Sequence, residues 1–226
     1  EDYVPMLLEE MELDGEDART DKWGDEVPAT AREQFPVVVI GGGVSGVLAA
    51  IRLAEAGIPY VVIEKNASVG GTWFENDYPG ARVDVANHFY SYSFEPNHDW
   101  PEHYSRQPQL AAYFDRCADK YQVKQHIQFE TEVISCTYND DHATWSVLLR
   151  DTEGNERREI YNAVISGAGQ LNRQKYPDIE GLDTFKGQAF HSSRWDWNTD
   201  LKGKRIAVIG TGASAFQLVP EIAKTA

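Results

Sequence analysis

The chain has 226 residues, 42% hydrophobic and 25% charged, enough apolar material for one large core or two small ones and too much for wholesale disorder. A formal net charge of −15 argues against nucleic acid or an anionic membrane surface as the main partner. No run is long enough to span a bilayer, no basic and apolar leader opens the chain, and Cys117 and Cys136 match no zinc spacing, so a cytoplasmic protein with reduced thiols is expected.

Residues 1–35 form an acidic lead-in, with twelve Asp and Glu against three Lys and Arg. A short amphipathic piece over residues 4–11 predicts a helix that Asp14-Gly15-Glu16-Asp17 breaks, and the rest reads as a solvated linker. The first residue is Glu rather than Met, so further sequence is expected upstream. Residues 37–40, all Val or Ile, predict a strand. It runs into Gly41-Gly42-Gly43-Val44-Ser45-Gly46 and then into a helix-period pattern that stops near Gly57.

Strand, tight turn and helix in that order fit the G-x-G-x-x-G fingerprint of a dinucleotide site. Glycine lets the backbone turn sharply and approach a pyrophosphate, and the helix N-terminus offers unpaired N–H groups and a positive dipole end. A second apolar run over residues 60–63 ends in Glu64, eighteen residues after Gly46, where an acid is expected to hold a ribose hydroxyl.

Residues 66–101 are dense in Gly, Pro, Asn and aromatics, and loops of that length in a compact domain are usually functional. Leu110, Tyr113, Phe114 and Cys117 are spaced for a helix over residues 109–121. Strands over residues 127–129, 131–138, 144–150 and 157–161 alternate as in a half-exposed antiparallel sheet, with a turn at 151–155. Residues 163–166 are apolar throughout and predict a buried strand of a central parallel sheet.

Residues 205–209 predict another strand. It leads into a second phosphate turn, Gly210-Thr211-Gly212-Ala213-Ser214-Ala215, with alanine at the third position, and a helix over residues 216–224. One strand and one helix cannot complete a nucleotide domain, so a further segment is expected. Two turns imply two dinucleotides, one to accept hydride and one to supply it, the logic of a flavin enzyme fed by a nicotinamide.

Two further motifs lie between the turns. Residues 70–84, GGTWFENDYPGARVD, resemble the long flavin-side motif of type I Baeyer–Villiger monooxygenases, with every fixed position filled. Residues 185–196, FKGQAFHSSRWD, are similar to the same family's fingerprint, F-x-G-x-x-x-H-x-x-x-W followed by Pro or Asp. The lead-in, at residues 4–7 and 13–17, resembles the end of the N-terminal extension in the 4-hydroxyacetophenone monooxygenase branch.

The resemblance implies an α/β flavoprotein with two dinucleotide-binding domains. An FAD domain with an antiparallel β insertion covers residues 36–182, a fingerprint linker 183–203, and the start of an NADPH domain 204–226, after the acidic segment 1–35. Gly41, Gly43, Ser45 and Gly46 would cradle the FAD pyrophosphate and Glu64 would hold the adenosine ribose. Lys65 would cover the adenine end, the bland alternative being a solvated charge. Gly71, Thr72 and Trp73 would run beside the flavin, with Tyr90 near it, and Val133 would offer its backbone to the adenine.

In such enzymes the carboxylate matching Asp84 positions an arginine near the flavin, so Asp84 is the catalytic candidate; a structural salt bridge is the alternative. Arg82 would approach the nicotinamide cofactor. Gly210, Thr211, Gly212, Ala213 and Ser214 would hold NADPH, while the flavin-facing arginine and the residues that choose NADPH over NADH would lie downstream. His191 is read as a linker residue coupling cofactor binding to domain motion, and the other histidines form no metal set.

The implied activity inserts one oxygen from O2 beside a ketone carbonyl, an aryl ketone if the branch resemblance holds, through a flavin C4a-peroxide to give an ester or lactone. Ketone and O2 are the expected partners, with a homodimer as the assembly to consider. Two alternatives stand beside it: a flavin monooxygenase acting on nitrogen or sulfur, and a non-catalytic FAD-binding fragment that needs a missing segment or partner. The 226 residues by themselves are expected to be inactive.

Overall fold

A computed structural model describes residues 26–226 together with Val4 and Leu8. Val4 and Leu8 are helical and exposed; the rest of the helix expected over residues 4–11, and residues 13–17, lie outside the described residues. A short helix α1 (Ala29–Glu33) leads into β1 (Val37–Ile40), whose Val38 and Val39 are 0% exposed. Helix α2 (Val44–Glu55) then crosses over to β2 (Tyr60–Ile63), which lies parallel to β1 in the register Val38↔Val61 and Val39↔Val62. A parallel pair needs such a crossover, and strands covered on both faces must be apolar throughout.

The four-stranded parallel sheet has the order β3-β2-β1-β7, with β3 (Ile127–Gln128) beside β2 and β7 (Ala163–Ser166) beside β1. Two expectations are corrected here. Residues 127–129 were expected in the antiparallel sheet, yet Ile127 pairs in parallel with Val62. β7 was expected to be buried, yet it forms the sheet edge, with Ile165 37% exposed. Apolar runs identify strands but carry no information about which neighbour they find.

The antiparallel sheet, order β4-β5-β6, is built from β4 (Thr131–Asn139), β5 (Thr144–Asp151) and β6 (Glu156–Tyr161), with a register shift between Val133 and Ser135. The β5–β6 turn is closed by the Asp151 carboxylate, which accepts from the backbone N–H of Glu153 and Asn155 at 3.0 and 2.8 Å.

The long loop after β2 holds a one-turn helix α3 (Thr72–Glu75). Helix α4 (Gln107–Lys120) buries Leu110, Tyr113, Phe114 and Cys117 against Val47, Ala50 and Ile51 of α2, each large side chain contributing about 1.5–3 kcal/mol. The Tyr113 hydroxyl is satisfied inside this core, accepting from the Tyr92 N–H at 2.8 Å and donating to the Glu95 carbonyl at 2.7 Å. Burial pushes both the Tyr92 and Tyr113 phenols up, so they stay protonated and act as apolar bulk with a fixed polar tip.

Residues 205–209 are a further correction: they carry no regular secondary structure and are exposed, and no strand among the described residues pairs with them. An apolar β-branched run becomes a strand only when a neighbour completes its ladder. The helix that follows does form, as α5 (Ala213–Ile222), and buries Leu218 and Ile222 against Tyr78 and Ala81 of the long loop. Among the described residues, no helix is long and apolar enough to cross a membrane, and no group of three or more His, Cys, Asp or Glu could hold a metal ion.

Candidate functional site

The first turn is a backbone device. Gly41 has φ +96°, a conformation side chains disfavour, and a Cβ there would lie 2.7 Å from the Gly167 carbonyl oxygen. Gly43 is the N-cap of α2 with φ −79° and ψ −168°, and no side chain caps the helix, so its first N–H groups are left for a ligand. At Gly46 a Cβ would stand 1.7 Å from the Gly41 carbonyl oxygen, which makes this contact between helix and turn possible only for glycine. Ser45 is exposed at the mouth of the turn.

Glu64 ends β2 and is only 3% exposed. One carboxylate oxygen accepts the Gly42 N–H at 2.5 Å and the other the Asn66 N–H at 2.8 Å, and the carboxylate retains further lone pairs for a hydroxyl. Gly70 donates its N–H to the Gly42 carbonyl at 3.0 Å. Gly71, φ +53°, sits so close to Gly43 that a Cβ on it would be 2.9 Å from the Gly43 Cα. The first turn, Glu64 and the start of the flavin-side motif are thus one contact set.

From Gly71 the chain enters α3, with Thr72 exposed and Trp73 buried. The Trp73 indole N–H donates to the Tyr90 hydroxyl at 3.0 Å, the rings meet edge to face at 5.7 Å, and the Gln107 amide donates to the Trp73 carbonyl. Burial raises the Tyr90 phenol above its ordinary value and the Asp84 charge adds to this, while the hydrogen bond from Trp73 opposes it. Asp84 itself is exposed and makes no hydrogen bond or ion pair among the described residues. Arg82 pairs with Glu102 at 3.5 Å, both ends half-exposed.

Lys65 is exposed, and its ammonium pairs with Glu75 at 2.8 Å. Burial alone would raise the Glu75 carboxyl, but Lys65, Asn66 and Arg194 together hold it below the usual range. Val133, half-buried, packs its side chain against the core formed by Val38, Ile63, Val147 and Leu149. An open cleft of about 270 Å³ runs from Lys65 and Asn66 over Glu132, Arg150 and Arg194; another of about 320 Å³ lies behind Trp73, between α3 and α4.

The second turn repeats the first. Gly210 has φ +113°, and Gly212, the N-cap of α5, has φ −77° and ψ −178°, again with no capping side chain. Thr211, Gly212 and Ala213 are exposed and Ser214 is half-buried. No hydrogen bond or ion pair among the described residues joins residues 210–214 to the first turn. One helical turn further on, Gln217 hydrogen-bonds the backbone of Arg82 in the flavin-side motif.

The stretch 185–197 is tied to the same loop. Arg194 reaches Glu75 at 3.5 Å, the Trp197 indole donates to Asp77 at 2.9 Å, and Trp195 packs on the Tyr78–Leu218 cluster. His191 packs edge-on against Tyr176 at 5.7 Å, and its Nδ1 accepts the Ser193 N–H at 3.2 Å. Sequence reasoning missed Gln217, Gly80 and the buried Asn87, which pins Ser105 beside the Arg82 loop through its side-chain amide.

A parallel sheet with a glycine turn and acid-tipped second strand, an antiparallel insertion and a second turn of matching geometry define the class of α/β proteins with two dinucleotide-type turns. Within that class the chain belongs to the flavin-binding monooxygenase-like family, whose description matches residues 34–226. It is 46% identical over 196 residues to a Baeyer–Villiger monooxygenase of Pseudomonas aeruginosa, covering 86% of this chain and 36% of that protein. A Baeyer–Villiger monooxygenase of Streptomyces coelicolor is 44% identical over 191 residues, 84% of this chain and 36% of the relative. Among solved structures, OTEMO in complex with FAD and NADP superposes with a TM-score of 0.79 at 38% identity, over 86% of this chain and 38% of that one. The chain spans about a third of the length of the curated relatives it matches.

Proposed function

We propose that this chain holds FAD at the first turn and NADPH at the second, as the flavin-binding part of a monooxygenase that inserts oxygen beside a ketone carbonyl. The observation that carries the reading is the repeated turn: two uncapped helix N-termini with the same glycine backbone, bracketing a motif whose Gly71 touches the first of them. The named activity of the similar proteins and the FAD and NADP of the similar structure support it. In this reading residues 36–182 form the flavin domain, 183–203 the linker and 204–226 the start of the nucleotide domain.

The residues present fit the cofactor. Gly41, Gly43 and Gly46 keep side chains away from a pyrophosphate, Ser45 and the α2 N–H groups face it, and Glu64 offers its spare lone pairs to the ribose. Val133 presents backbone, and Lys65, held by Glu75, lines the cleft at the adenine end. Gly71, Thr72 and Trp73 provide close approach, a hydroxyl and a flat wall, with Tyr90 fixing the indole. When bound, FAD would supply the redox chemistry, as acceptor of hydride and as the group that activates O2. Beside α5, Asp84 would orient a cation at the reacting centre and Arg82 would meet NADPH, whose phosphates Gly210, Thr211, Gly212, Ala213 and Ser214 would hold. We propose an aryl ketone as substrate and the cytoplasm as the place of work, which suits two free thiols.

The test loads the natural full-length polypeptide with FAD, adds NADPH without oxygen, and then supplies isotopically labelled O2 with a ketone, an amine or a thioether. Flavin bleaching followed by one labelled oxygen in an ester is expected. Refusal of FAD, or label in the heteroatom products alone, would overturn the reading. Asp84→Ala is expected to keep the yellow colour and lower ester formation by at least tenfold.

A further inference from the structure

We infer that Gln217 is a positioning residue through which occupancy of the second turn sets the backbone of residues 82–84. The inference rests on the reading that this turn takes NADPH, and deepens it. Gln217 lies one turn into α5, about 6 Å along the axis from Ala213, the helix's first residue. Its amide N–H donates to the Arg82 carbonyl at 2.9 Å, and its amide oxygen accepts the Arg82 N–H at 3.2 Å and the Tyr78 hydroxyl at 2.8 Å. One side chain therefore satisfies both backbone groups of a single residue, as a neighbouring strand would.

The approach is close by construction. Gly80 has φ +84°, and a Cβ on it would lie 2.4 Å from the Gln217 carbonyl oxygen, so α5 can seat itself here only over glycine. Leu218 and Ile222, each 5% exposed, close on Tyr78 and Ala81 beside it. The loop is gripped from its other side as well: the Val83 N–H donates to the Ser105 carbonyl at 3.0 Å and the Gln107 N–H to the Ala81 carbonyl at 2.8 Å. Residues 82–84 therefore lie between one fixed segment and one helix. A helix moves as a rigid rod, so an anion drawn to its N-terminus shifts Gln217, and Gln217 carries Arg82 and Asp84 with it.

Site-resolved hydrogen exchange on the FAD-loaded protein, with and without NADP+, tests this in wild type, Gln217→Met and Gln217→Glu, alongside an NADP+ titration by calorimetry for affinity and by flavin absorbance for response. Without nucleotide, the Arg82 amide should exchange about fivefold faster in Gln217→Met, which loses both bonds to Arg82 and the one from Tyr78. NADP+ should slow exchange at residues 82–84 and perturb the flavin spectrum in wild type. In Gln217→Met both responses should fall at least threefold while the NADP+ affinity changes less than threefold. Gln217→Glu keeps the acceptor but turns a carboxylate toward the Arg82 carbonyl, so it should lie between the two and serves if the Met variant does not fold. NADP+ that binds wild type without touching residues 82–84, or a full response in both variants, overturns the inference. A flat titration in wild type removes the nucleotide reading as well and is told apart by the isotherm.

Discussion

Gly46→Ala is the sharpest perturbation of the first turn. The new Cβ would stand 1.7 Å from the Gly41 carbonyl oxygen, where contacts below 3.0 Å are essentially never seen, so helix and turn must part by about 1.3 Å. Neither partner can give cheaply: the Gly41 N–H is fixed to the Ile63 carbonyl at 2.8 Å, and Val47 beside Gly46 is 0% exposed in the core. Overpacking of this kind costs about 3 kcal/mol, and if it falls on the bound conformation the FAD affinity drops by about a hundredfold. Denaturant unfolding of the apo protein and quenching of free FAD fluorescence measure the two effects. A variant with wild-type midpoint and FAD affinity within twofold would refute the reasoning, because the helix could then be repositioned without loss.

Gly71→Ala forces φ +53° on a side-chain residue and brings a Cβ to 2.9 Å from the Gly43 Cα, so FAD affinity should fall by about tenfold on strain of about 1–2 kcal/mol, read by the same titration. Trp73→Phe removes the donor to the Tyr90 hydroxyl, costs about 1 kcal/mol in denaturant unfolding, and moves the Tyr90 titration to still higher pH in ultraviolet absorbance. Glu75→Gln tests the Lys65–Glu75–Arg194 network through pH. The folded carboxyl is lowered, so the stability it adds is complete above its ordinary value of 4.5 and is lost as pH falls through the folded value. Unfolding midpoints of wild type and variant should therefore differ at pH 7 and converge in acid, and a gap that stays constant would count against the network.

What could be read from the sequence was local. The first turn is legible because its glycines answer to neighbours a few residues away, with Gly46 against the Gly41 carbonyl, and because β1 and β2 are continuous apolar runs. The flavin-side and fingerprint motifs were visible as ordered strings of residues. Sheet membership was legible for residues 163–166, which do pair in parallel with β1, but not for Ile127, and the edge position that leaves Ile165 exposed depends on partners the run itself does not name. Residues 205–209 have a strand's composition without its ladder. Gln217 was invisible because its partner, Arg82, lies 135 residues away, and nothing in a glutamine on a helix announces a backbone partner. Lys65 belongs with it, since the acid it meets sits in another element.

Glu64 has one more consequence. By fastening Gly42 from within and Asn66 beyond, its buried carboxylate holds the loop in shape before any nucleotide arrives. On the proposed reading, a coenzyme would meet a preorganised socket and be spared most of the entropy of ordering it, which would make tight binding compatible with rapid capture.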